Sequence, residues 1–141
     1  MIVVCGKIPL EKLPKTNDNI LIKQLIKSPQ IVNKMVDLAI IHGGRGTVYN
    51  AAYSGKPSIG IPFFIEQQYN IDCLVRNKAG LKISGKYFNP EKLLKAINTI
   101  FENYDIYLKN ATEFSKKLSG ITGEQKAVER IIEIVDKEVM K

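Results

Sequence analysis

Residues that commonly bind metal ions are scarce in this sequence, which contains one histidine and two cysteines. A structural zinc site takes four such ligands, usually in closely spaced pairs. Neither Cys5 nor Cys73 has a partner in a CxxC pair. We therefore predict no metal site, and we interpret both cysteines as buried free thiols.

Long apolar runs are missing as well. The longest nearly apolar stretch, Ile59 to Ile65, contains a proline and is far shorter than the roughly 20 residues of a membrane-spanning helix. The residues after Met1 have neither the basic region nor the small-residue cleavage site of a secretory signal. We therefore expect a cytoplasmic protein. The length of 141 residues, with 45% of them hydrophobic, predicts a single domain over 1–141.

Acidic residues are outnumbered, with 14 Asp and Glu against 21 Lys and Arg, which gives a formal net charge of +7. The lysines are spread along the chain and form no basic stripe interleaved with aromatic residues, so we expect no nucleic-acid partner. A positive balance suits anionic ligands or an anionic membrane surface. Peripheral association with a membrane therefore stays open beside the alternative of a solvated, lysine-rich exterior.

Apolar runs alternate with helical patterns along the chain, which predicts an α/β fold. We predict strands at 2–5, 19–22, 36–41, 58–61 and 81–84, the first of them buried. Helices are predicted between and after the later strands. The apolar stripes of the last three helices are predicted to lie in the core: Leu93, Leu94, Ile97, Ile100 and Phe101; Tyr107, Leu108, Ala111, Phe114 and Leu118; Val128, Ile131, Ile132, Val135 and Val139. This order predicts a Rossmann-like, doubly wound parallel sheet with helices on both faces.

A glycine-rich segment, His42 to Thr47, follows the third apolar run and precedes a predicted helix. Glycines allow close approach of a ligand to the backbone, Thr47 can cap the helix, and a helix N-terminus favours phosphate. The segment matches neither GxGxxG nor the P-loop pattern, which disfavours both of those sites. From these residues alone, a tight strand-to-helix turn without a ligand remains the alternative.

The wider pattern resembles a known family. From Asp37 to Asn70 the chain reads DLAIIHGGRGTVYNAAYSGKPSIGIPFFIEQQYN. This is similar to the donor-site signature of the UDP-glucosyl/glucuronosyltransferase family, which has the GT-B fold: a strand, HGG-x-GT, a helix, G-x-P, a strand ending in proline, an acidic residue with glutamine, and then an asparagine. Pro29 and Gln30 resemble the proline-glutamine pair that precedes this signature in the family. The resemblance covers almost the whole chain and implies the C-terminal, donor-binding half, with the N-terminal acceptor-binding domain absent.

The resemblance also implies roles for individual residues. The donor diphosphate would be bound by His42, Gly43, Gly44, Gly46 and Thr47, with Arg45 either a further contact or merely exposed. Glu66 and Gln67 would bind the hydroxyls of the donor sugar. Pro29 and Gln30 would contact the base, and Asn50 would lie at the ribose, where many members carry glutamate. The chain lacks the tryptophan that often stacks on uracil, and no catalytic residue is expected in this half.

We therefore expect the donor-binding domain of a metal-independent glycosyltransferase that transfers a hexosyl group from a UDP-sugar, without a further cofactor. Such a domain would be inactive without its acceptor-binding half. That half would be the missing N-terminal domain or a separate subunit, as in two-subunit transferases that act on lipid-linked acceptors. A non-catalytic nucleotide-sugar-binding module is the main alternative. An NAD-type oxidoreductase is disfavoured because GxGxxG is missing.

Overall fold

The computed structural model describes residues 1–120 and 123–139. Five strands alternate with helices in it, which confirms the α/β class. The strands are β1 (Ile2–Val4), β2 (Leu21–Lys23), β3 (Ala39–Ile41), β4 (Ser58–Gly60) and β5 (Gly80–Lys82). The helices are α1 (Pro29–Met35), α2 (Arg45–Ser54), α3 (Ile65–Arg76), α4 (Pro90–Glu102), α5 (Tyr104–Ser119) and α6 (Gly123–Val139), with short 3-10 turns at Leu10–Lys12 and Gly85–Tyr87.

Every strand pair in the described residues is parallel, as predicted. β1 pairs with β2, with Val3 opposite Ile22. β4 lies between β3 and β5, with Ile59 opposite Ile40 on one side and Leu81 on the other. The strands form two hydrogen-bonded sheets, β1-β2 and β3-β4-β5, where the sequence predicted one.

Helices cover both faces of the three-stranded sheet, which agrees with the Rossmann-like prediction. On one face, Val48 and Ala52 of α2 pack with Ile71 and Leu74 of α3. On the other face, Ile59 packs with Ile83 and with Ala96 and Ile100 of α4. Residues of α5 contact both clusters, with Phe114 and Leu118 on the first and Tyr107 on the second. The core is thus built around β3, β4 and β5.

Local signals set several helix ends where the sequence predicted them. The side chain of Asn89 caps α4 by accepting a hydrogen bond from the Lys92 N–H at 2.8 Å, and Pro90 takes the first helical position. Gly55 ends α2 with a φ of 69°, in the left-handed region that favours glycine. Helix α1, in contrast, was not predicted. Pro29 opens it instead of only interrupting the chain.

Some predicted core residues are exposed. The first strand is not buried, since Ile2 is 41% and Val4 51% exposed. The apolar stripe of α6 is not buried either, because neither core cluster includes a described α6 residue. Its exposed members are Val128, Ile131, Ile132 and Val135. The side chain of Val139 lies outside the described part of the chain. Leu94 and Phe101 at the edge of the α4 face are also exposed.

Two further properties of the described residues bear on the sequence predictions. Cys5 and Cys73 are free thiols, as predicted, but both are only partly buried. No helix among residues 1–120 and 123–139 is long and apolar enough to cross a membrane.

Candidate functional site

The site is centred on the loop that joins β3 to α2. Gly43 in this loop is buried and has a φ of 93°, which a residue with a side chain rarely adopts. A Cβ at this position would lie 2.6 Å from Ile71 Cδ1 and 2.8 Å from the backbone oxygen of Gln67. Glycine therefore lets α3 pack directly against the loop.

His42 extends from the end of β3 over the start of α2. A Cβ on Gly44 would lie 2.7 Å from His42 Nε2 and 3.5 Å from Thr47 Oγ1. The imidazole and the hydroxyl therefore face the same point above Gly44, and any side chain at Gly44 would displace the imidazole. His42 itself is exposed and accessible to a ligand.

Three backbone donors are free at the same place. Helix α2 begins at Arg45, and its first helical hydrogen bond is donated by the Val48 N–H to the Gly44 carbonyl at 3.0 Å. The N–H groups of Arg45, Gly46 and Thr47 therefore have no acceptor in the helix. The first turn contains no acidic residue, so the partial positive charge of the helix end is not neutralised there.

Thr47 does not cap α2, which corrects the sequence prediction. It is the third residue of the helix, and Gly44 takes the capping position without a side-chain bond. The Thr47 hydroxyl instead donates to the Gly44 carbonyl at 2.7 Å. To donate to a ligand, this hydroxyl would have to rotate away from that carbonyl.

Glu66 and Gln67 lie in the first turn of α3 and differ in what they offer a ligand. Gln67 Oε1 accepts hydrogen bonds from the Phe63 N–H at 2.8 Å and the Phe64 N–H at 3.3 Å, so it caps α3. Only the amide N–H groups of Gln67 are left for a ligand. Glu66 is exposed, and its Oε1 accepts a bond from Asn70 Nδ2 at 2.7 Å.

Asn70 connects the two halves of this site. Its Nδ2 donates to Glu66 Oε1 and also, at 3.0 Å, to the backbone oxygen of Gly43. One half-buried side chain therefore ties the glycine-rich loop to the first turn of α3. The sequence signature contains this asparagine, but its position alone assigned it no role.

A groove of about 700 Å³ runs beside α2, between α1, the end of α5 and the start of α6. Two of the residues predicted at the base and ribose, Gln30 and Asn50, line it together, whereas Pro29 does not. The sequence missed the other lining residues, which are Ile31, Lys34, Tyr49, Tyr53, Leu118, Ser119, Gly123 and Glu124.

The groove wall carries aromatic rings and a positive charge. The rings of Tyr49 and Tyr53 stack with centroids 6.2 Å apart, and Lys34 Nζ lies 5.7 Å from the centroid of Tyr53. Asn50 lies three residues beyond Thr47 on α2, which places the groove about one helical turn from the free N–H groups. Two tyrosines four residues apart, on one face of a helix, were the signal that could have predicted this wall.

Comparisons with known proteins bear on the family and the fold of the chain. The family model of the glycosyltransferase family 28 C-terminal domain matches residues 1–121. UDP-glucuronosyltransferase 2B15 of Rattus norvegicus is 32% identical over 106 residues, which are 75% of this chain and 19% of the relative. UDP-glucuronosyltransferase 2A3 of Pongo abelii is 36% identical over 77 residues, which are 55% of this chain and 14% of the relative. The chain thus spans less than a fifth of the length of these curated relatives.

Solved structures show the same fold. The calicheamicin glycosyltransferase CalG4 superposes with a TM-score of 0.81 at 15% identity, over 96% of this chain and 35% of that one. The Streptomyces sp. SF2575 glycosyltransferase SsfS6, complexed with thymidine diphosphate, superposes with a TM-score of 0.62 at 19% identity, over 74% of this chain and 27% of that one. At these identities the likeness shows the fold and no more.

Proposed function

Because the chain belongs to the glycosyltransferase family 28 C-terminal domain family, we propose that it binds a UDP-sugar and is the donor-binding half of a metal-independent hexosyltransferase. The observation that carries this proposal is the convergence of donors at the start of α2. The His42 imidazole and the N–H groups of Arg45, Gly46 and Thr47 all lie there. A diphosphate is an anion whose charge and oxygens such a set of donors can bind.

The proposed chemistry is stabilisation of the leaving group. As the bond between the sugar and the diphosphate breaks, negative charge grows on the diphosphate oxygens. Donors that are already held in place by the fold stabilise that charge without a reorganisation step. The helix N-terminus adds its partial positive charge, so these protein groups supply what a metal ion would otherwise supply.

The sugar would lie against the first turn of α3. The oxygen of Glu66 that Asn70 leaves free can accept a bond from a sugar hydroxyl, and the Gln67 amide N–H groups can donate to another. The capping bonds of Gln67 fix its side-chain orientation before a donor binds. Because only the sugar would lie against this turn, we predict that Glu66 contributes to the binding of the sugar and little to the binding of the nucleotide.

The nucleoside would lie in the groove beside α2. Gln30 and Asn50 offer amide groups for base and ribose, and the stacked Tyr49 and Tyr53 offer an aromatic surface. Uridine is proposed because the curated relatives are named UDP-glucuronosyltransferases. A thymidine diphosphate is bound by one structural neighbour, so the pyrimidine class has support from both comparisons.

Calorimetric titration tests the proposal directly. The chain would be titrated with UDP, thymidine diphosphate, ADP and GDP in the presence of a chelator. We expect UDP to bind, and His42→Ala to weaken its binding about 10- to 150-fold, because one charge-assisted hydrogen bond contributes about 1.5 to 3 kcal/mol. Tight binding of a purine diphosphate instead of UDP would contradict the base assignment, and binding that needs a divalent metal would contradict the metal independence.

A second titration separates the sugar from the nucleotide. Glu66→Ala should lower the affinity for UDP-glucose while leaving the affinity for UDP unchanged. Gln68→Ala is the matched control, because Gln68 is an exposed residue of the same helical turn. An equal loss in both variants would show that the first turn of α3 does not bind the sugar.

The transferase activity itself requires the acceptor-binding half. We propose that the chain alone transfers no sugar and that an acceptor-binding domain or subunit restores transfer. Donor binding without transfer, in the presence of every candidate acceptor-binding half, would favour the non-catalytic binding module. Transfer by the chain alone would show that its own residues supply the base.

A further inference from the structure

The two helical walls of the groove beside α2 carry matching rows of side chains. On α1, Gln30 and Lys34 lie four residues apart, so they share one helix face. On α2, Tyr49 and Tyr53 lie four residues apart as well, and Asn50 lies beside the first of them. A ligand in the groove therefore meets a polar row from α1 and a largely aromatic row from α2.

Lys34 brings a positive charge to this groove. Its Nζ lies 5.7 Å from the centroid of the Tyr53 ring, and the attraction between ammonium and ring holds it against the wall. Glu124 is the other charged residue among the described residues that line the groove. Within residues 1–120 and 123–139, the ion pairs are those of Lys82 and Arg130, so no ion pair joins Lys34 to a carboxylate there. The Lys34 ammonium can therefore donate to a ligand.

The order of groups along α2 indicates which part of a nucleotide Lys34 meets. The N–H groups proposed for the diphosphate lie in the first turn, around Gly46, and Asn50 lies about one turn further on. Tyr53 lies about another turn beyond Asn50, at roughly 10 Å along the helix from Gly46. A nucleotide has the same order of diphosphate, ribose and base. The edge of the base that is farthest from the ribose therefore lies toward Tyr53 and Lys34.

Pyrimidine bases differ in one group at that edge. Uracil and thymine carry a carbonyl oxygen, O4, which accepts a hydrogen bond, whereas cytosine carries an amino group, which donates one. An ammonium group can only donate. The side chain of Lys34 therefore matches O4 of uracil or thymine, while against cytosine it would place donor against donor.

We propose that Lys34 determines the base specificity of the donor site, because its Nζ donates a hydrogen bond to O4 and so selects UDP over CDP. The inference rests on the proposed function and adds to it the residue that distinguishes the pyrimidines. Tyr53 is a positioning residue, since its ring holds the ammonium. Thymidine diphosphate carries the same O4, so Lys34 should contribute to its binding as well.

Glu124 is the lining residue that could select the opposite base. A carboxylate can only accept, so it would match the amino group of cytosine. Glu124 is exposed at the second residue of α6, and no hydrogen bond or ion pair within the described residues holds its side chain. Lys34, in contrast, is held by the Tyr53 ring on the wall that Gln30 shares. The selection is therefore assigned to Lys34.

Calorimetric titration of the full chain with UDP and CDP tests the proposal. The two ligands share ribose and diphosphate, so the Kd for CDP divided by the Kd for UDP, the selectivity ratio, reports on the base alone. The ratio should be about 10 in the wild type, since one bond from an exposed ammonium is lost with CDP. Lys34→Met keeps the length of the side chain without the charge and should lower the ratio to within about twofold of 1. Lys34→Glu replaces the donor by an acceptor and should bring the ratio below 1.

Two controls separate a contact with the base from other effects. Lys95→Met removes the same charge from an exposed lysine of α4, which packs on the other face of the sheet, and it should keep the ratio near that of the wild type. Tyr53→Phe keeps the ring that positions Lys34 and should also keep the ratio, whereas Tyr53→Leu removes the ring and should lower the ratio to about 3. Thermal melting shows whether each variant is folded.

Two results would overturn this inference and leave the proposed function intact. The first is an equal loss of UDP and CDP affinity in Lys34→Met, because the ammonium would then act on the charge of the diphosphate and not on the base. The second is a wild-type preference for CDP that Glu124→Gln abolishes, because the carboxylate would then select the base. Failure of the proposed function has a different result: neither UDP nor CDP binds to the wild type, which would overturn the donor site and the role of Lys34 together.

Discussion

Replacing Asn70 by alanine should weaken donor binding while the domain stays folded. The Asn70 amide is the described link between the glycine-rich loop and the first turn of α3, with bonds of 3.0 Å to the Gly43 carbonyl and 2.7 Å to Glu66 Oε1. The variant removes both bonds and adds no steric conflict. It leaves a loop carbonyl and a carboxylate to find other partners.

The loss of stability in Asn70→Ala is the sum of the contributions of the two bonds. A neutral hydrogen bond in a half-buried position contributes about 1 kcal/mol. The bond to Glu66 is charge-assisted, but Glu66 is exposed, so solvent screening reduces its contribution to about 0.5 to 1 kcal/mol. The free energy of unfolding should therefore fall by about 1.5 to 2 kcal/mol, which a folded domain with typical stability tolerates.

The effect on binding should differ between two ligands. Loss of the bond to Gly43 frees the loop that carries His42, and UDP should bind about fivefold more weakly. Loss of the bond to Glu66 also frees the group proposed for the sugar. UDP-glucose should therefore lose about 20-fold in affinity, which corresponds to about 2 kcal/mol.

The assay is calorimetric titration with both ligands, with thermal melting as the measure of stability. Asn110→Ala is the control, because Asn110 makes a similar bond, at 3.3 Å to the carbonyl of Lys78, which follows the C-terminal end of α3. The control should lose stability and keep full affinity for both ligands. If Asn70→Ala loses stability but binds UDP and UDP-glucose as the wild type does, Asn70 does not position the donor site.

Two further predictions concern a glycine of the loop and a tyrosine of the core. Gly44→Ala places a Cβ 2.7 Å from His42 Nε2, so UDP affinity should fall about as far as in His42→Ala. Burial, and then the charge of Asp37, raises the pKa of Tyr104. The neutral phenol therefore stabilises the fold below the unfolded-state pKa of about 10, and this contribution is lost as the pH rises above it. Melting temperatures should accordingly fall more steeply above about pH 10 in the wild type than in Tyr104→Phe, and parallel curves would contradict this cause.

Much of the fold could be predicted because its signals are local. Asn89 and Pro90 favour a helix start through their own chemistry, since the asparagine side chain satisfies a first-turn N–H and proline needs none. Gly55 ends a helix because it adopts a left-handed conformation without steric cost. The glycine-rich segment was likewise predicted to lie between a strand and a helix. Thr47 was placed wrongly because the helix begins two residues before it, at Arg45.

The site was predicted less completely because its geometry depends on contacts between distant segments. Gln67 keeps only its amide N–H groups for a ligand, since its oxygen caps α3. Gln30 and Asn50 line one groove because α1 packs beside α2, which no spacing in the sequence reveals. The binding roles of His42, Glu66 and Gln67 stay predictions until ligands are measured.

By itself, the sequence determined the alternation of strands and helices, the end of α2 and the start of α4, and the clustering of His42 with the glycines, because each depends on neighbouring residues. Only the tertiary structure decided which apolar stripes are covered. The stripe on α4 meets Ile59 of the sheet, while the stripe on α6 meets neither core cluster. Periodicity records that a face is apolar, but burial requires a second surface, and that surface comes from how the whole chain packs.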